Sequence, residues 1–397
     1  MKRNLFIVWW LVLLAVQRPW QVQALTTNAT GLVNYQAFDG TLYLLEPWVG
    51  RNVAILTPTN QTLSTNIMGP ILIALDAAWD FYQSSTPPGR QPAALPSTTL
   101  FGRDTIAVVN STCGAGCSYL GYTGTEILNT YFQILYNGYR TQQQFDQVLF
   151  YELGRTFWFY DGQLDYHPPD VDPCATGFAV YMRFLSMDAA GVAGGPFNGV
   201  SFTQFRMDVT NLFQTYVSNR SLNWSNTFRV GTAPSNPLGL GTTDLFASLL
   251  MRIGRDFGGP TFGTDFWKQV ARRSVALHTT QEAVDNFVLA ACATVSKNLT
   301  GMFTNTWKFP VSTNAIQEAL QRFGQPVVEH PLLSPRVSGT NIVIQWQTEP
   351  NTTYQLQESL DLTNWSDSGS VVNGGGAIWT VPRSFTNSLT YYRLKLN

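Results

Sequence analysis

Thr141-Gln-Gln-Gln-Phe-Asp-Gln-Val-Leu-Phe-Tyr-Glu-Leu-Gly-Arg-Thr-Phe-Trp-Phe-Tyr160 is the most informative segment of the chain. At spacings of three and four, Phe145, Val148, Leu149, Leu153, Phe157 and Tyr160 share one helical face, and Phe150, Tyr151 and Trp158 share another. A helix that is apolar all round is a buried one, so the pattern predicts a central core helix over 141–160. Inside it sit two ionisable residues, Glu152 and Arg155, of a kind that buried helices ordinarily exclude unless paired. Asp161-Gly162 ends the segment. An acidic loop over 163–175 follows, carrying Asp165, His167, Asp170 and Asp172. Thr176-Gly177 then opens a second apolar helix, Phe178 to Met187.

On the N-terminal side, short apolar runs bounded by Gly and Pro predict strands at 41–45, 52–56 and 105–109. Between them Ile67, Ile71, Ala74, Leu75, Ala78 and Phe81 set a helical period over 66–83, and a further helix is expected at 126–137. Downstream, helices are expected at 204–217, 243–253, 265–274, 280–295 and 314–323, separated by glycine-rich loops. Beyond a Pro-containing stretch the period falls to two, in Asn341–Trp346, Tyr354–Gln357, Ala377–Thr380 and Tyr391–Leu396. This predicts a small all-β domain of the immunoglobulin-like sandwich type. The fold class is therefore α+β. A signal peptide over 1–24 precedes a domain over 25–325, with a β-rich N-terminal part and a largely helical C-terminal part. A linker over 326–335 and a β-sandwich over 336–397 follow.

Composition narrows the function. The 25 Phe, 16 Tyr and 12 Trp outnumber the 24 Lys+Arg and 25 Asp+Glu in 397 residues, and charge is 12% against the ~25% usual for soluble domains. That excludes a disordered chain, a coiled coil and a basic nucleic-acid binder. Lys2 and Arg3, the apolar run Leu5–Val16 and the small or aliphatic Val22 and Ala24 form a secretory signal pattern, and the run is too short to span a bilayer. The remainder is expected to be exported (secreted, or held at the cell surface or in the periplasm), with no membrane span. Cys113, Cys117, Cys174 and Cys292 allow three pairings, which spacing does not separate. Cys113 and Cys117 bracket a tight loop, and Cys292 lies in an apolar run as a buried thiol would.

The string Tyr151-Glu152-Leu153-Gly154-Arg155 resembles the H-E-L-G-H form of the zinc-peptidase motif, with both histidines replaced. In gluzincins the third ligand is a Glu opening the next helix, in a pattern like E-G-F-A; here Thr176-Gly177-Phe178-Ala179 matches with Thr in the ligand position. Together with Asp285-Asn286-Phe287, Leu299–Phe303 and Thr306–Ser312, taken in that order, the chain resembles bacterial gluzincin domains of the M60-like kind over roughly residues 30–325. The resemblance implies that Tyr151, Arg155 and Thr176 stand where zinc ligands would, and that Glu152 stands at the general base. A guanidinium stays protonated and cannot ligate zinc, Tyr is an uncommon ligand, and structural and catalytic zinc sites are built from imidazole, thiolate and carboxylate. No cofactor is therefore expected. Without the metal, water keeps its pKa near 15.7 and Glu152 loses its main task.

Two readings of Glu152 and Arg155 follow. They form an internal ion pair that neutralises a former site, or they form a ligand-binding dyad in which Arg155, with Tyr151, Thr176 and Trp158, grips an anion. His167, Asp170 and Asp172 are the weaker candidates for a relocated metal or Ca²⁺ site, against a plain surface loop; they lack the glycine and closing Glu of an EF-hand. His278 is expected to be structural, and His330 falls in the linker. No G-x-S-x-G, P-loop or dinucleotide fingerprint is present. The expected function is a secreted metallopeptidase-like protein that binds extracellular protein, peptide or polysaccharide without catalysis. The alternative is an active extracellular hydrolase, directed at peptide or glycan, using Glu152 with a non-standard or relocated zinc site.

Overall fold

The structure is a computed structural model that describes residues 25–86, 89–275, 279–327, 334–338, 341–348, 353–361, 363–375, 377–384 and 390–396. The expected signal segment 1–24, His278, His330 and linker residues 328–333 lie outside the described residues.

The N-terminal part holds a seven-stranded mixed sheet built from β1 (Val33–Gln36), β2 (Leu42–Val49), β3 (Val53–Pro58), β4 (Thr99–Leu100), β5 (Arg103–Val109), β6 (Gly116–Ser118) and β7 (Thr125–Leu128). Its order is β1-β2-β3-β5-β7-β6, with β4 beside β5. The β3/β5 and β5/β7 pairs are parallel, and β6 closes the edge antiparallel to β7. The chain crosses from β3 to β5 through α1 (Thr65–Ser85), whose first turn is capped by Ser64. Strands buried on both faces read as continuous apolar runs. Val53, Ile55, Ile106, Val108 and Ile127 face the helices, while Ala54, Leu56, Ala107 and Val109 face a second cluster under Leu25, Val33 and Tyr35.

The helical part comprises α2 (Asn129–Gln142), α3 (Val148–Thr156), α4 (Asp161–Leu164), α5 (Cys174–Ala189), α6 (Phe202–Ser218), α7 (Thr242–Ile253), α8 (Phe262–Val270), α9 (Thr280–Val295) and α10 (Thr313–Phe323). The helix expected across 141–160 is shorter than its apolar pattern. Gln143 turns left-handed (φ 55°) and ends α2; β8 (Gln144–Phe145) then pairs in parallel with β9 (Ala193–Gly194). Asp146 Oδ1 accepts the Val148 N–H at 2.8 Å and starts α3. At the far end the Phe157 N–H bonds back to Gly154 O, and Trp158 Nε1 donates to Asp161. The α5 helix begins at Cys174, two residues before the expected opening at Thr176, because Asp172 Oδ1 accepts the Cys174 N–H at 2.7 Å.

The C-terminal part holds two small antiparallel sheets. One is formed by β10 (Ser334–Ser338), β11 (Asn341–Gln347) and β15 (Ile378–Ser384). The other is formed by β12 (Thr353–Ser359), β13 (Ser366–Asp367), β14 (Val372–Asn373) and β16 (Tyr391–Leu396). Ile344 and Trp346 of the first share one core with Tyr354, Leu356 and Val372 of the second. The molecule is thus α+β throughout its larger part, with a small all-β unit after it. Among the described residues no helix is long and apolar enough to cross a membrane.

Candidate functional site

The α3 helix runs beneath the edge strand β6 and against α5. Gly154 makes the second contact possible: a Cβ there would lie 3.1 Å from Ala179 Cα and 2.9 Å from Tyr82 Oη. Tyr82 Oη in turn donates to Phe150 O at 2.6 Å and pins the middle of α3 to α1.

Three of the residues singled out in the sequence converge here. Arg155 Nη1 donates to Thr176 Oγ1 at 3.1 Å, and Tyr151 Oη lies 3.5 Å from the same nitrogen. One turn of α3 places Tyr151 and Arg155 on one face, and the first turn of α5 brings Thr176 to them. The Tyr151 ring is also flanked on its other side by Arg183, whose guanidinium carbon lies 5.8 Å from the ring centroid. Tyr151, Arg155 and Thr176 are half-buried, and the Arg155 side chain keeps 25% exposure, so the group has an opening to solvent.

Glu152 points the other way, under β6. It is 3% exposed; its Oε2 accepts from Ser118 Oγ at 2.9 Å, and Ser118 Oγ is 2.9 Å from Thr125 Oγ1. Gly116 of the same strand covers the carboxylate so closely that a Cβ would meet Glu152 Cγ at 2.8 Å and Oε1 at 2.9 Å. Burial pushes the Glu152 carboxyl up to about 7, against the opposing pull of Ser118 and, less strongly, of Arg155. Arg155 Nε is 3.9 Å from Glu152 Oε2, beyond hydrogen-bond reach. The pair is therefore a loose contact rather than a bonded salt bridge.

The remaining candidates are placed elsewhere. Trp158 is 1% exposed, and its ring packs at 5.5 Å from Phe178 and 6.2 Å from Trp267. It belongs to the aromatic core and does not reach the opening beside Arg155. Asp170 is ion-paired with Arg229 at 2.7 Å, Asp172 caps α5, and the His167 N–H donates to Thr280 Oγ1 at 3.0 Å. A disulfide joins Cys113, in the loop before β6, to Cys117 of β6 itself, while Cys174 and Cys292 are free and buried. Among the described residues no three His, Cys, Asp or Glu side chains are grouped so as to hold a metal ion. The donors beside Arg155 are a phenol and an aliphatic hydroxyl around a permanent cation, and that set does not fit zinc. Ser118 and Gly116 were not singled out in the sequence; only the sheet order brings them to Glu152.

No family model matches the chain, and no curated protein matches it. Solved structures do. The chain is similar to a ZmpB metallopeptidase from Clostridium perfringens (TM-score 0.45, 11% identity, 90% of this chain and 68% of that one). It is also similar to a functionally unknown conserved protein, studied as a mutant, from Bacillus anthracis str. Ames (TM-score 0.44, 11% identity, 85% and 71%). A structure of the CBM32-1, CBM32-2 and M60 catalytic domains of Clostridium perfringens ZmpB matches over 89% of this chain and 35% of its own length (TM-score 0.44, 12% identity). These are similarities of outline at very low identity, and no residue role is transferred from them.

Proposed function

We propose that this is an exported, metallopeptidase-like protein in which an arginine-centred polar group stands in place of a zinc site. In this reading it acts as a non-catalytic binding protein on extracellular protein, peptide or polysaccharide. The observation that carries the proposal is the convergence of Tyr151, Arg155 and Thr176 on one guanidinium. These are the three positions at which the sequence resemblance puts metal ligands. A fixed cation with an opening to solvent recognises an anionic group, and a guanidinium does so bidentately with carboxylates. Burial raises the Glu152 carboxyl to about 7 and its contact with Arg155 is loose, so it offsets that cation only in part.

The test has two measurements on the purified full chain. One is metal content after dialysis. The other is binding of hexaglutamate and polygalacturonate, as carboxylate probes, to wild type, Arg155→Met and Arg155→Lys. The proposal expects no stoichiometric zinc, binding of at least one probe, a loss of tenfold or more in Arg155→Met and partial retention in Arg155→Lys. One zinc per chain, with peptide or glycan hydrolysis abolished by Glu152→Gln, would establish the hydrolase reading instead. Equal binding by Arg155→Met would remove Arg155 from the site.

A further inference from the structure

At one end of the C-terminal β unit, an open cleft of about 690 Å³ lies across both sheets. Its walls come from β12 and β16 of one sheet, from β15 of the other and from Leu360, Asp361, Asn364 and Trp365. The volume is in the range of small-ligand sites. We propose that this cleft binds a neutral carbohydrate, with Trp365 and Tyr392 offering ring surface and with Glu358 and Arg383 offering hydrogen bonds.

The polar groups are fixed in advance. Arg383 Nη2 donates to Ser368 O at 3.0 Å and to Ser368 Oγ at 2.9 Å, and Ser368 Oγ donates to Glu358 Oε2 at 2.8 Å. This chain ties β15 to β12 beneath the cleft and holds both charged heads in place. Asp361 fixes Thr363 and Asn364 as firmly. Asp361 Oδ1 accepts the N–H groups of Thr363 at 2.9 Å and Asn364 at 2.8 Å, and Oδ2 accepts from Asn364 Nδ2 at 2.8 Å. That turn presents Trp365, whose ring also carries the Arg393 guanidinium at 4.2 Å from its centroid.

Charge and donor set select the ligand class. Glu358 and Asp361 are balanced by Arg383 and by Arg393 on the Trp365 ring, so the lining carries no net charge to select an ionic ligand. The Asp361 carboxylate is already engaged by its own turn, which leaves Glu358 without a partner carboxylate for a cation. Rings beside fixed donors and acceptors suit a ligand with one apolar C–H face and many hydroxyls, which is a sugar. The proposal is independent of the Arg155 site, which lies in the larger domain.

The test measures binding of cellohexaose, xylohexaose, mannohexaose and chitohexaose to the full chain by calorimetry, with dextran sulfate as an anionic comparison. At least one neutral oligosaccharide is expected to bind. Trp365→Ala should weaken it at least tenfold, and Trp365→Phe should retain most of it. Ser384→Trp, at an exposed rim position of the cleft, should block binding without removing a packed side chain, so it decides the matter if Trp365→Ala does not fold. Arg155→Met should leave the affinity unchanged. Binding of none of the four, binding of dextran sulfate alone, or undiminished binding by Ser384→Trp overturns the proposal.

Discussion

Replacing Glu152 by Gln should stabilise the protein, and the gain should depend on pH in a defined way. In the folded chain burial raises the carboxyl from its ordinary 4.5 to about 7. The folded state therefore holds the proton more tightly than the unfolded chain, and stability falls as pH rises from about 4.5 to about 7. At 1.36 kcal/mol per pH unit that gap amounts to about 3 kcal/mol. Gln keeps the size of the protonated acid, its carbonyl still accepts from Ser118 Oγ, and it does not ionise. The variant should exceed wild type by less than about 1 kcal/mol at pH 5 and by about 3 kcal/mol at pH 8, with little further change above that. Urea unfolding at pH 5, 6, 7 and 8 measures the difference. Other buried acids with raised values, such as Asp104, are common to both proteins and cancel. A difference that shrinks as pH rises would show that Glu152 is ionised and well paired, and one independent of pH would show a carboxyl unshifted by folding; either result refutes the reasoning.

Three further outcomes are expected. Gly116→Ala forces a Cβ to within 2.8 Å of Glu152 Cγ and should cost about 1–3 kcal/mol in urea unfolding; much of that should vanish when Glu152 is also Ala. Asp104→Asn should stabilise the protein above neutral pH, because Asp104 Oδ2 is buried without a partner among the described residues and burial pushes this carboxyl up to about 7; pH-dependent unfolding checks it. Replacing Cys113 and Cys117 by Ser should lower stability by about 2 kcal/mol, the loop-closure value for so short a ring, and peptide mapping of wild type should find only Cys174 and Cys292 as thiols that react after denaturation.

Periodicity located the helices well where the segment is amphipathic or apolar over its whole length. The expected 280–295 coincides with α9, and 243–253 and 314–323 differ from α7 and α10 by one residue at the start. It failed at 143–147, and again at 157–160 beyond the end of α3. In the first stretch the chain leaves the helix at Gln143 to pair β8 with β9, some fifty residues on, and no local pattern signals that partner. The placing of the cluster was legible for a simple reason: Glu152 and Arg155 are charges in an apolar stretch, and spacing puts Tyr151 with Arg155. Ser118 and Gly116 were not legible, since their contact with Glu152 depends on β6 being the edge strand beside β7. Trp158 shows the opposite failure. An aromatic next to a polar motif reads the same in sequence whether it lines an opening or fills the core, and here it fills the core.

Two arginines flank Tyr151, and their surroundings separate structure from function. Arg183 has a side chain only 6% exposed, bonded to Gln147, 3.8 Å from Asp244 and enclosed by the rings of Phe184 and Phe205. Burial lowers it to about 10, the cost of enclosing a cation, while Asp244 pulls it the other way. Such a group is enclosed between α5 and α7, where no ligand from outside reaches it. Arg155 has the reverse setting: 25% exposure, two hydroxyl partners and a carboxylate 3.9 Å away. Hydroxyls orient a guanidinium without neutralising it, and an ionisation-averse Glu152 does so only in part. On the proposed reading, an anion from outside completes the partners of this half-buried, loosely paired guanidinium.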